Sequence, residues 1–200
     1  MIERLRDAAI AACSGRPPAH DYSHVCRVEK LAREIAEAEG ARVEVVVAAA
    51  VLHELVNLPK HHPDSHRSGD LCAEAALALL PGDPIADDVA RCIREHAFSK
   101  GAPPSSREAA ILQDADRLDA IGAIGIARCF ATTSEMMRPL YAPNDPFCRA
   151  RDPDDKQWGL DHFYRKLLRI ELHTTTAQQI ARGRVEFLRL YLEQLERELT

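Results

Sequence analysis

Aromatic residues are scarce in this chain, 5% of the sequence with a single tryptophan. Alanine and leucine abound instead, which leans towards helix. Basic charge is in deficit, with 26 Lys and Arg against 31 Asp and Glu and a formal charge of −5. A protein that holds nucleic acid by bulk electrostatics is usually basic, so that partner class is disfavoured, while a local basic pocket for a small anion stays open. No Cys-x-x-Cys pair occurs among Cys13, Cys26, Cys72, Cys92, Cys129 and Cys148. Neither a zinc ribbon nor a disulfide framework is indicated, and free buried thiols in a reducing compartment are expected. No run reaches the roughly 18 apolar residues of a membrane span. Met1 to Ser14 holds only a six-residue apolar run, Ala8 to Cys13, and contains acidic residues, unlike a signal peptide. A soluble cytoplasmic protein without a membrane partner is the expectation. No repeat, low-complexity tract or linker divides the 200 residues, and with 46% apolar residues a sizeable core can form; one domain over 1–200 is expected.

The apolar periodicity predicts helices almost throughout. The first covers 1–13 and is stopped by Gly15 and Pro17-Pro18. The second starts at Asp21 or Ser23 and ends at Gly40. A third, apolar on all sides and hence central, runs from Val43 to about Val56. Others are expected over Leu71 to Leu80 and Pro84 to Phe98. Ser105 and Glu108, three apart, resemble a capping box opening a helix that continues past Gly122 to about Thr132. Gly122 and Gly125 would allow close helix contact. Residues 131–153, with four prolines, read as a long loop that is either a lid or a passive excursion. Helices return over Asp155 to Ile170 and Thr174 to Glu198.

Chemistry concentrates where polar residues break apolar patterns. His53-Glu54 closes the run Val45 to Leu52, and burying an unsatisfied polar group costs roughly 2–7 kcal/mol. A divalent metal would accept both groups; otherwise the histidine closes a helix and the glutamate is solvated. His24 opens the inward stripe of Val28, Leu31 and Ile35, as a ligand or as a core histidine bonded to a carbonyl. Asp114, Asp116 and Asp119 interrupt a buried helix, which is costly unless they are paired or metal-bound. Together His24, His53, Glu54 and Asp116 offer two neutral nitrogens and two anionic oxygens. Such an open N/O site suits Mn²⁺, Fe²⁺ or Mg²⁺ better than a closed zinc site. The loop from Lys60 to Ser68, with His62 and Arg67, is either an anion-binding rim or a solvated turn. His96 ends a helix, as a general acid or as a residue stabilised by the dipole. Asp21 is a helix cap or an acceptor that orients a ligating histidine. Asp119 has the same second role, or pairs with an arginine.

The set His24, His53 and Asp116, in the segments His20-Asp21-Tyr22-Ser23-His24 and Gln113-Asp114-Ala115-Asp116-Arg117-Leu118-Asp119, resembles the HD-domain superfamily of metal-dependent phosphohydrolases. Lys60, His62, Pro63, Arg67, Ser68 and the segment from Asp161 to Leu168 extend the likeness to small stand-alone bacterial HD hydrolases, over about residues 20–195. The family dipeptide is His-Asp; this chain has His-Glu. The resemblance implies an all-α HD-domain helical bundle, with a metal-binding core over about 20–126 and a helical extension over about 154–199. It implies one divalent ion, foremost Mn²⁺, with Mg²⁺, Fe²⁺, Ni²⁺ and Co²⁺ as alternatives, held by His24, His53, Glu54 and Asp116. The activity implied is hydrolysis of a nucleotide phosphoester or phosphoanhydride, including release of pyrophosphate from a nucleoside triphosphate. Lys60, His62, Arg67 and Arg117 are then candidates to bind phosphate, and His96 to protonate the leaving oxygen. Two alternatives stay open: a non-catalytic metal- or nucleotide-binding regulatory module, which the His-Glu departure favours, and a nucleotide phosphodiesterase.

Overall fold

Asp21 starts the helix that carries His24. Its Oδ1 accepts the backbone N–H of His24 at 3.1 Å, an N-cap that satisfies one of the first-turn donors. The computed structural model of the chain describes every residue except 18, 59–61, 97–102 and 200, and among these described residues no strand occurs. The protein is all-α. Its helices are α1 (Ile2–Cys13), α2 (Tyr22–Ala38), α3 (Val43–Leu52), α4 (Ser68–Leu79), α5 (Ala86–His96), α6 (Arg107–Asp119), α7 (Gly122–Glu135), α8 (Asp161–Arg165) and α9 (Thr175–Leu199), with 3-10 turns at Ser65–Arg67 and Leu167–Arg169.

Two compact units are formed. The first is Met1–Asp116 with His173–Ala177; the second is Arg117–Leu172 with Gln178–Thr200. In the first, α3 is the hub: Val45 to Leu52 are at most 3% exposed, and α1, α2 and α5 pack around it, with α4 on α5. α3 stops at Leu52, one turn short of the expected Val56. Side chains meet carbonyls at its end and in the turn that follows. His53 Nδ1 donates to Ala50 O at 2.6 Å, and Cys72 Sγ bonds Leu52 O and His53 O at 3.1 and 3.2 Å. Arg16 donates to Glu54 O at 2.5 Å and to Leu55 O at 3.2 Å.

The start of α6 lies one residue from the expected capping box. Ser106, not Ser105, caps it, accepting Ala109 N–H at 3.1 Å. Ser105 is drawn to the Glu95 carboxylate by its N–H at 2.9 Å and its hydroxyl at 2.7 Å, while Glu108 accepts Arg42 N–H at 3.3 Å.

In the second unit the expected continuous helix is broken at Ala120 and Ile121. Gly122 turns the chain at φ +76°, and a Cβ on Gly125 would lie 2.2 Å from Ala120 O. These glycines permit the break, and Gly122 also sits against the stem of Arg184. The helix expected over Asp155 to Ile170 shortens to Asp161–Arg165 and the 3-10 turn. Asp154 binds Lys156 N–H at 3.0 Å and the Gln157 amide at 2.8 Å, folding a turn there. A Cβ on Gly159 would meet Thr133 Oγ1 at 2.5 Å. Buried Asp161 is neutralised by Arg151, with bonds of 2.5 and 2.8 Å. The long loop is tied into its own unit by Gly159 N–H to Pro139 O at 3.0 Å and Leu160 N–H to Leu140 O at 2.7 Å.

Gly125→Ala is expected to lower the free energy of unfolding by about 2 kcal/mol, since a methyl cannot share the space of the Ala120 carbonyl. Gly183→Ala, in open space within α9, is expected to raise it by up to about 1 kcal/mol. Urea titrations of the two variants check the pair.

Candidate metal centre

Three helices of the first unit bring their polar interruptions together. His24 comes from the first turn of α2, His53 from the end of α3 and Asp116 from α6. His24 Nε2 lies 3.2 Å from His53 Nε2 and 3.5 Å from Asp116 Oδ1, and ligand atoms of the three residues all lie within 4.8 Å of one another. His24 and His53 are buried, while Asp116 keeps partial access to solvent.

The donor chemistry fits a cation. With Nδ1–H given to Ala50 O, the neutral His53 ring carries its lone pair on Nε2, the atom that faces His24. Burial, with the neighbouring charges of His24 and His96, pushes the His53 pKa down to about 4, so the ring is neutral and able to ligate around pH 7. Two ligands at right angles on one ion, with bonds of about 2.1 Å, stand about 3 Å apart. The separations of 3.2 and 3.5 Å match that requirement.

Glu54 stands beside this set. Its Oε1 is 3.9 Å from His24 Nε2 and 3.5 Å from His20 Nδ1. Its Oε2 accepts from Asn57 at 2.7 Å and from Arg16 at 3.3 Å. Burial pushes the carboxyl pKa up, but His20, His53 and His24 outweigh it and hold the group well below the usual carboxylate range. His96, the last residue of α5, sets its ring edge-on to His53 at a centroid distance of 5.3 Å. Its Nδ1–H goes to Ile93 O at 2.5 Å, leaving Nε2 for other chemistry.

The remaining expected residues are distributed as follows. Asp21 spends its Oδ1 on the helix cap. Asp119, in the second unit, pairs with Arg128 at 2.7 Å. Arg117, also in that unit, donates to Glu171 O at 2.9 Å. Arg67 is exposed at the start of α4. His62 is exposed too, its Nδ1 accepting Asp64 N–H at 3.1 Å. Lys60 lies outside the described residues.

Several contributors escaped the sequence reading. Arg16 gives no local sign that it will bond the Glu54 carbonyl, 38 residues further on. Gln113 donates to Glu95 O, next to His96, at 2.7 Å and accepts from His173 at 2.9 Å. Asp114 accepts the N–H groups of His173 and Thr174 and the Thr174 hydroxyl, each at 2.8 Å. The pattern of three acids in one buried helix was the available signal. It shows that partners are needed without saying which.

The HD domain family model matches residues 21–121, the stretch that carries His24, His53, Glu54 and Asp116. The chain belongs to the HD-domain family. The protein YpgQ of Bacillus subtilis is 33% identical to this HD-domain chain over 206 residues, covering 100% of it and 94% of YpgQ. The crystal structure of YpgQ in complex with ADP is similar at a TM-score of 0.75 with 34% identity, covering 98% of this chain and 94% of that one. An HD-superfamily hydrolase from Bacillus thuringiensis is similar at a TM-score of 0.74 with 30% identity, covering 98% and 95%. As in the sequence reading, no helix among the described residues is long and apolar enough to cross a membrane.

The low pKa of His53 ties stability to pH. The unfolded ring takes its proton near pH 6.5 and the folded ring only near pH 4, so between these values the unfolded state binds more protons. Stability of the metal-free protein is expected to fall as pH drops through that window, by up to about 1.4 kcal/mol per pH unit. His53→Gln should flatten the dependence, as read by denaturant midpoints from pH 7 to 4.

Proposed function

We propose that this protein is a divalent-metal-dependent phosphohydrolase acting on a phosphoester or phosphoanhydride of a nucleotide. The observation that carries the proposal is the convergence of His24 Nε2, His53 Nε2 and Asp116 Oδ1. The ADP complex of YpgQ supports a nucleotide as the ligand class. His24, His53 and Asp116 would hold the ion, for which Mn²⁺ is our first choice. When bound, such an ion lowers the pKa of water and polarises a phosphoryl oxygen.

The chain's own groups do the rest. The Ala50 carbonyl fixes the His53 tautomer, as a partner on the far ring nitrogen does for ligating histidines generally. His96, with Nδ1–H anchored on Ile93 O, is the group that would donate from Nε2 to a leaving oxygen. Arg67, Lys60 and Arg117 are the cations proposed to meet phosphate charge, the arginines by paired bonds. His62 is proposed as a further phosphate donor.

A non-catalytic regulatory module is the second reading, favoured by the engagement of the dipeptide glutamate with Arg16 and Asn57. The two separate in a turnover screen of nucleotides with Mn²⁺, Mg²⁺, Ni²⁺ and Co²⁺ and product identification. The hydrolase releases phosphate or pyrophosphate with at least one ion. Metal binding without turnover under every ion supports the module. In the hydrolase, His96→Ala is expected to lower kcat by about 10²–10⁴-fold while metal affinity is kept.

A further inference from the structure

Glu54 is the one member of the expected ligand set that the fold holds elsewhere. His24, His53 and Asp116 supply the mutually close atoms, and Glu54 does not join them. Only one oxygen of Glu54 approaches the cluster, with Oε1 at 3.9 Å from His24 Nε2. The other is turned to Asn57 and Arg16.

Arg16 is itself fixed. Its guanidinium is anchored on the backbone by Glu54 O and Leu55 O, so it does not follow the carboxylate if the side chain swings. The extra methylene of glutamate, relative to aspartate, gives the carboxylate the reach to meet that anchored charge. Both side chains are largely shielded, 16% and 11% exposed, which strengthens their attraction.

We propose that Glu54 does not ligate the ion: Arg16 and Asn57 hold it back, and His24, His53 and Asp116 alone make the protein contacts. Arg16 is a positioning residue in this scheme. The electrostatic consequence concerns substrate. With the Glu54 charge already met by Arg16 and His20, a divalent ion is offset only by Asp116, and the centre keeps net positive charge for an anionic phosphate. With Glu54 as a ligand, the ion would be neutralised.

The inference rests on reading the His24–His53–Asp116 cluster as a cation site, and the test separates the two. Mn²⁺ affinity is measured by titration calorimetry on the metal-free full chain and on His53→Ala, Glu54→Gln, Arg16→Met and the double variant Arg16→Met/Glu54→Gln. His53→Ala should bind at least about 100-fold more weakly. Wild-type affinity in His53→Ala, or no Mn²⁺ bound by the wild type, rejects the cation site and this inference with it. Given a working site, Glu54→Gln should stay within about fivefold of wild type; a larger loss makes Glu54 a ligand and overturns the proposal. Arg16→Met should tighten binding by more than about fivefold, because the freed carboxylate can then reach the ion, and the double variant should lose that gain. A gain that persists in the double variant reports removal of a positive charge alone and overturns the role given to Arg16. If Arg16→Met does not fold, Glu54→Gln still decides whether Glu54 ligates.

Discussion

Two imidazole nitrogens face each other at 3.2 Å in the interior of a helical unit, and much of that unit is arranged to keep them there. The ring of His53 cannot turn away, because its other nitrogen is bonded to the carbonyl of Ala50. It does not gain a proton near neutrality, because burial and two neighbouring histidines oppose the charge. His24 is set at the start of its helix by the cap from Asp21. A cation shared with Asp116 would engage both rings at once.

The sequence carried this centre because each member interrupts an apolar pattern. His24 opens a helical stripe, His53 ends an apolar run, and Asp116 sits among buried residues of α6. Periodicity also fixed the helical class and most helix positions. It could not fix where helices end, because those ends are decided by distant side chains. At the end of α3, Cys72 takes the Leu52 and His53 carbonyls, and Arg16 takes those of Glu54 and Leu55 in the turn that follows. The cap of α6 moves from Ser105 to Ser106 because Glu95 captures the former. Asp161 and Gly159 shorten the helix around α8 through partners on other segments.

The same reasoning separates the three aspartates of the Gln113–Asp119 segment, which look alike in sequence. Asp114 accepts three hydrogen bonds from His173 and Thr174 within the first unit. Asp116 faces His24. Asp119 answers Arg128 in the second unit. One binds backbone, one is placed for a metal and one pairs with an arginine, and only coordinates can assign these partners. Gln113 adds a brace at Glu95 O, immediately before His96, so the residue expected to manage protons is steadied from α6.

A cation at His24, His53 and Asp116 can be located by its own scattering. Crystals of the full chain grown with Mn²⁺ can be measured at the manganese absorption edge. An anomalous peak is expected within about 2.4 Å of His24 Nε2, His53 Nε2 and an Asp116 oxygen, a bond length typical of divalent metals. A peak bound elsewhere, or none at this cluster, would contradict a cation site there.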